Sequence, residues 1–398
     1  MAAVTGKSSP ARIYWTAFIG LLFDYYDLYL FIYLERVLAA QFELSAGESD
    51  FLQFIGLAGV GAGALGFGWL ADRWGRGRIM LVVFGVYGLG IGGLSLAWNF
   101  PSLVGFRLLA SLALGAEWGI SHTFLAERVN RATRYRFAAL LQFAILGGLL
   151  AACAERYLLV GLGWRGLFAA SLVPVAVLSL VRWRALVGEG ENRRSHADVP
   201  RDQPVRLGAQ APSSAQTGRE ALRANAVPFA VCFSLAGLTI ASGTINVFFA
   251  KDLPQGFAAT ALFWINVLPG MLLGAAIVRR IGVARALAGY ALTLIALSGW
   301  AWFSHWPARA LAFAVVLPLL NGIPFGLMGA FFNEVFGEYR TMLSGTAYNL
   351  GRIFGAFSPA LITGLGLHDR GNYFLFTAAL GTGVLALSAA AGRLPRQL

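Results

Sequence analysis

Gly68-Trp-Leu-Ala-Asp72-Arg73-Trp-Gly75-Arg76-Gly-Arg78 sets one acid and three arginines at the junction of two charge-free runs, residues 51–71 and 79–98. A helix needs about 20 apolar residues to cross about 30 Å of hydrocarbon. Each flanking run is that long, so the charged stretch reads as a short polar turn joining two membrane spans. Further apolar runs extend outward near 13–34, 101–126, 137–160, 164–186, 224–250, 258–278, 286–303, 308–332, 342–365 and 372–392. The first is too long and too aromatic for a signal-peptide core and reads as an uncleaved span. The pattern predicts an all-α integral membrane protein with twelve transmembrane helices.

Composition agrees. Of 398 residues, 58% are hydrophobic and 13% charged, with a mean hydropathy of +0.66. Soluble domains carry about 25% charged residues. A cytosolic enzyme, a disordered chain and a nucleic-acid binder are excluded on that ground, despite a net charge of +12. Lys and Arg in short loops stay on the cytoplasmic side. The basic residues collect in alternate loops: Lys7 and Arg12; Arg73, Arg76 and Arg78; Arg128, Arg131, Arg134 and Arg136; the stretch from Arg182 to Arg223; and Arg279, Arg280 and Arg285. Both termini are therefore expected in the cytoplasm, and the charge excess is an orientation signal. Two cysteines, Cys153 and Cys232, give no disulfide framework, and no Cys/His group has metal spacing.

Residues 187–223 form the one long polar run and read as a cytoplasmic linker. They divide the chain into an N-terminal half, 1–186, and a C-terminal half, 224–398. A constant offset of 207 residues superposes Arg73 on Arg280, Gly75 on Gly282, Arg78 on Arg285, Gly115 on Gly322, Gly119 on Gly326, Glu127 on Glu334 and Gly148 on Gly355. Two six-helix repeats suggest a transporter whose site lies between them near the midplane.

The loop quoted first resembles the signature loop of the major facilitator superfamily, G-x-x-x-D-R-x-G-R-R, with Gly77 replacing one basic residue; the second half keeps a degraded copy with Arg279 in place of Asp72. The resemblance implies a major facilitator fold over nearly the whole chain. In physical terms Asp72 is placed to cap a helix N-terminus of the other half or to pair with nearby arginines. Asp72, Arg73, Gly75 and Arg76 are accordingly expected to gate the cytoplasmic side, the competing reading being charges that only fix topology.

Ionisable groups inside a span are costly and need a partner or a wet cavity. Five stand out: Asp24 and Asp27 in the first span, Arg107 and Glu117 in the fourth, and Arg352 in the eleventh. At about 1.5 Å per residue, Asp24, Glu117 and Arg352 share one layer roughly 14 to 17 Å from the cytoplasmic ends. Asp27 lies one turn further out on the face of Asp24. The segments Phe23-Asp24-Tyr25-Tyr26-Asp27, Arg107…Gly115-Ala-Glu117-Trp118-Gly119 and Tyr348-Asn349-Leu-Gly-Arg352 resemble the metabolite:proton symporter branches of the superfamily, among them sialate-type and lactate-type carriers. That resemblance implies organic-acid transport.

The chemistry of the residues fits. A carboxylate entering a low-dielectric cavity wants an arginine's fork, and Arg352, with Asn349, Tyr348, Arg107 and Tyr29, is expected to bind substrate. Proton coupling needs a buried carboxylate that titrates. Glu117 and Asp24 are the candidates, with Asp27 expected to pair with Arg107, and Glu117→Gln is expected to abolish proton-driven accumulation. Gln142 and Asn321 read as interhelical glue, and His122, His196, His305 and His368 as solvated. The expected function is proton-coupled uptake of a small organic anion, first of all a monocarboxylate, by a monomer in the bacterial inner (plasma) membrane. Its partners are the organic acid, protons and the lipid bilayer, without nucleic acid, and it needs no cofactor beyond the proton gradient. A proton antiporter exporting a cation or drug-like compound is the alternative. A membrane-embedded enzyme would need a nucleophile-base set, which the sequence does not present.

Overall fold

Gly75 and Gly282 carry the repeat into three dimensions. Both adopt positive φ, 96° and 83°, a region that favours glycine, and each starts a helix whose two ends are also 207 residues apart: α3 (Arg76–Leu96) and α9 (Val283–Phe303). The computed structural model describes residues 10–195, 218–251, 256–303, 315–337, 339–364 and 370–396. Ahead of α3 lie α1 (Pro10–Gln41) and α2 (Ala46–Trp74), and after it come α4 (Phe100–Ala126) and α5 (Arg134–Gln142). A 3-10 turn, Phe143–Leu146, joins α5 to α6 (Gly147–Ser195). Then follow α7 (Gly218–Lys251), α8 (Gly256–Ile281), α10 (Leu317–Val335) beyond α9, α11 (Arg340–Ala356), α12 (Ser358–Gly364) and α13 (Arg370–Arg393). No strand occurs among the described residues.

Nine helical stretches among the described residues are long and apolar enough to cross a membrane. One of them, Arg134–Arg184, covers two expected spans, because α6 turns at Gly163, where φ 65° interrupts the helix. α10 and the pair α11–α12 occupy the places of expected spans ten and eleven. The expected linker is helical at both ends, in α6 and α7. Its middle, 196–217 with His196, and the positions His305 and His368 lie outside the described residues.

Local chemistry starts and stops these helices. Ser45 and Glu48 form a reciprocal cap at α2, as Asn99 and Ser102 do at α4, each pair satisfying amides that a helix start leaves open. At the far end of α3, Arg165 donates to the carbonyls of Ser95 and Ala97 at 3.1 and 2.8 Å.

Glycines set the helix crossings. A Cβ on Gly115 of α4 would collide with the Val60 carbonyl of α2, and one on Gly322 of α10 with the Val267 carbonyl of α8. Both members of this contact, the glycine and the carbonyl it meets, recur at the 207-residue offset. Between the halves, a Cβ on Gly119 would sit 2.9 Å from Gly345 Cα and 3.0 Å from the Thr341 carbonyl. α4 and α11 therefore meet backbone to backbone. One apolar core, built on Leu30, Phe31, Leu34, Phe84 and Phe168, stays within the first half. The other joins Ala17, Leu21, Tyr25 and Trp118 of the first half to the core of the second.

Candidate substrate and ion-coupling site

Three charged side chains of the first half meet in one buried pocket. Asp24 on α1 and Glu117 on α4 line a small cavity with Gly20, Phe84, Tyr87 and Ala113. Arg182 of α6 lies beside it, against Gly20 of α1. Its Nη2 donates to Glu117 Oε1 at 2.9 Å and to the Thr16 carbonyl at 2.9 Å, its guanidinium lies 4.1 Å from the Phe84 ring centroid, and Ser121 Oγ adds a hydrogen bond to Glu117 Oε1 at 2.7 Å. The sequence reading placed Arg182 with the loop arginines. The structure corrects this: Arg182 is 2% exposed, because α6 continues helical beyond it and turns the residue inward. Asp24 has no hydrogen bond or ion pair among the described residues.

One turn outward, the expected Asp27–Arg107 pair is not formed. Both Asp27 carboxylate oxygens and Arg107 Nε are buried without a hydrogen-bond partner among the described residues. Ser171, on the neighbouring helix, turns its hydroxyl to the Leu167 carbonyl instead. The Arg107 guanidinium lies 3.7 Å from the centroid of the Phe31 ring and against Gly56, where a Cβ would come within 2.9 Å of Nε. The aromatic face, one turn beyond Asp27, takes the cation.

A layer of aromatic rings bridges the halves at this depth. Trp118 of α4 stacks on Tyr348 of α11, centroids 3.8 Å apart and planes within 4°. The hydroxyls of Tyr348 and Tyr25 are 3.0 Å apart. Gln142 Oε1 accepts from Trp118 Nε1 at 3.1 Å and pairs with His122 Nε2 at 3.0 Å. His122 was read as solvated; it is 2% exposed and lies against Gly329 of the other half, since α4 continues inward past it to Ala126. Tyr29 meets Trp264 of α8 edge to face at 4.7 Å.

Arg352 is different. It is half-buried and, among the described residues, has neither hydrogen bond nor ion pair; its guanidinium carbon is 5.9 Å from the Tyr348 ring centroid. Tyr348 in turn shares its hydroxyl with Tyr25, so Arg352 lies beside the aromatic layer that bridges the halves. Asn349 spends its amide nitrogen on the carbonyls of Gly115 and Gly345, at 2.8 and 3.0 Å. It ties α11 to α4 and leaves only Oδ1 unpartnered.

Toward the ends of α2, α4 and α10 the halves are sealed by charge. Asp72 Oδ1 accepts from Thr341 N at 3.1 Å and from Arg76 Nη2 at 2.8 Å, and Oδ2 from Met342 N at 2.9 Å. It thereby caps the N-terminus of α11 from the other half. Glu127 receives Arg76 at 3.1 Å and Arg340 at 3.7 Å. Its repeat partner Glu334 receives Tyr135 at 2.7 Å, Arg134 at 3.4 Å and Arg396 at 3.9 Å. Arg73 is exposed and lies over Trp69 of its own helix. Among the described residues no group of His, Cys, Asp and Glu has the arrangement to hold a metal.

The Major Facilitator Superfamily profile matches residues 17–359. The chain belongs to the major facilitator superfamily. It is a membrane transporter and not an enzyme. The cis,cis-muconate transport protein of Acinetobacter baylyi is 28% identical over 372 residues, covering 87% of this chain and 85% of that protein. The niacin transporter NiaP of the same organism is 25% identical over 391 residues, covering 91% and 88%. Among solved structures, the proton:xylose symporter XylE superposes with a TM-score of 0.69 at 18% identity, over 97% of this chain and 96% of that one. This likeness speaks for the major facilitator fold of two six-helix bundles. Of the residues that the sequence singled out, the structure brings Asp24 and Glu117 to one cavity inside the first half and sets Tyr348 of the second half against Trp118 and Tyr25 of the first, with Arg352 beside Tyr348. It adds Arg182, whose signal was its place within the final turns of an apolar run.

Proposed function

We propose that this transporter is a proton-coupled symporter that takes up a small organic anion, monocarboxylates first, by alternating access of its two halves, 1–186 and 224–398. Arg352 carries the proposal. It is a half-buried cation with no protein counter-charge among the described residues, facing aromatic rings at the junction of the halves. A cation in that setting is stabilised by an incoming carboxylate. The related transporters are named for cis,cis-muconate and niacin, both carboxylates with flat unsaturated frames, and rings such as Tyr29 and Tyr348 suit a flat ligand. Asn349 and Arg107 support the binding site from behind, and Asp24, Glu117 and Asp27 are its proton-coupling acids. The sealed end carrying Asp72, Arg73, Gly75 and Arg76 is its cytoplasmic gate, with both termini on that side of the plasma membrane.

The test is uptake into proteoliposomes of the purified monomer, with a panel of mono-, di- and aromatic acids and an imposed pH gradient of either sign. Accumulation of one acid class driven by an acidic outside is the expected result. Arg352→Ala should lower it at least about tenfold, the worth of one charge-assisted contact, and Arg352→Lys should restore part. Cation export that survives Arg352→Ala would overturn the reading in favour of an antiporter.

A further inference from the structure

We infer that Arg182 is a positioning residue that holds Glu117 as a fixed anion, so that the transported proton rides on Asp24. The inference rests on the proton-coupled reading above and divides the work of its two deepest acids. Glu117 Oε1 is occupied from two sides, by Arg182 Nη2 and by Ser121 Oγ. A buried carboxylate in a charge-assisted pair is held ionised, because protonation would leave the cation alone in a low dielectric. The geometry also locks the cation. Arg182 Nη2 is tied to the Thr16 carbonyl and its guanidinium lies over Phe84. Gly20 is the one residue type that leaves room, since a Cβ there would collide with Nη2 and lie 2.7 Å from Glu117 Oε1. The Glu117–Arg182 pair is thus made wholly within the first half, with Glu117 Oε2 and Arg182 Nε and Nη1 buried without a hydrogen-bond partner among the described residues.

Asp24 lines the same cavity as Glu117 and has no hydrogen bond or ion pair among the described residues. The charged and titratable groups facing it are few. Glu117 of α4 acts on it as a like charge, and so does Asp27 on α1; Arg352 of α11 acts as an opposite charge. Tyr87 of α3 lines the cavity but donates its hydroxyl to the Phe23 carbonyl at 3.3 Å. Tyr348 of α11 is engaged with Tyr25 and Trp118. Asp24 is therefore the acid whose charge is set by what arrives. When a substrate carboxylate neutralises Arg352, Asp24 takes a proton from water on the open side. When the substrate leaves on the other side, Arg352 is free again and Asp24 returns the proton to water there. One proton and one anion then move together.

The experiment compares Asp24→Asn, Arg182→Lys, the single variants Arg182→Gln and Glu117→Gln, and the double variant Glu117→Gln/Arg182→Gln. Each is reconstituted and assayed for accumulation driven by a pH gradient, for counterflow of labelled benzoate or nicotinate, and for the pH midpoint of uptake. Asp24→Asn should lose accumulation, its inside-to-outside ratio falling to about one, while counterflow persists. Arg182→Lys should keep the wild-type profile. Each single Gln variant strands a buried charge and should lose both activities. The double variant removes the pair together and should recover accumulation, with its midpoint moved toward acid because the like charge beside Asp24 is gone. Accumulation by Asp24→Asn, or counterflow without accumulation in the double variant, would overturn the assignment and make Glu117 the carrier. If the double variant does not fold, Asp24→Asn alone decides. Wild-type uptake that ignores the pH gradient would instead sink the underlying symport reading.

Discussion

At the scale of single residues, the site is defined by which polar atoms are already spent. Tyr25 and Tyr348 have given their hydroxyls to each other and Asn349 its amide nitrogen to two carbonyls, so these residues hold the halves in register. A double-mutant cycle of Tyr25→Phe and Tyr348→Phe should return a coupling of about 1 kcal/mol in detergent unfolding, with each single variant still transporting. No coupling would mean that the two hydroxyls are satisfied independently. Five intramembrane charges were legible in the sequence because an ionisable residue in an apolar run has no other explanation. Their partners were not. Pairing depends on rotation about each helix axis and on competing faces, and Phe31 outcompetes Asp27 for Arg107. Arg182 escaped notice because two residues on, Arg184 begins the polar stretch, and near a helix end an arginine that snorkels outward and one that folds inward have the same sequence signature.

At the scale of helices, crossings are decided by small residues and by caps. Gly119 and Gly345 let α4 and α11 touch, so Gly119→Leu should wedge this end of the molecule open. Asp72→Ala should do the same by uncapping α11 and should cost the closed form about 1 kcal/mol, whereas Asp72→Asn, which keeps an acceptor but loses the ion pair to Arg76, should fall between. Labelling of a cysteine placed at the buried Ser344 of α11 reads this directly. Faster reaction with a bulky maleimide is expected in Gly119→Leu and Asp72→Ala, and unchanged protection would show that the cap does not hold the seal. Helix existence was legible because apolar runs of membrane length admit little else. Boundaries were less so: the path through α5, the 3-10 turn and α6 bends at Gly163, whose local signal is one glycine in a glycine-rich chain.

At the scale of the whole molecule, the 207-residue offset read from the sequence reappears as paired helix bounds, paired positive-φ glycines and paired glycine-carbonyl crossings. The symmetry is incomplete at the sealed end. The start of α11 is held through its backbone amides by Asp72, but the start of α5 has no side-chain cap, and Arg279 stands in the second half where Asp72 stands in the first. Along the other edge the hydrogen bonds and ion pairs found between the halves among the described residues are made by side chains, Arg134 and Tyr135 to Glu334. Side chains swing and stretch as tethers, whereas a carboxylate seated on two amides fixes a position. On the alternating-access reading proposed above, the α2–α11 edge is therefore expected to move less than the α5–α10 edge while this end stays sealed. Spin labels across the α5–α10 edge should separate by more than labels across α2–α11 when substrate is added, and equal separations would overturn this expectation. The single exchange between the repeats, Asp72 for Arg279, thus leaves one edge of the seam held through backbone amides and the other through side chains.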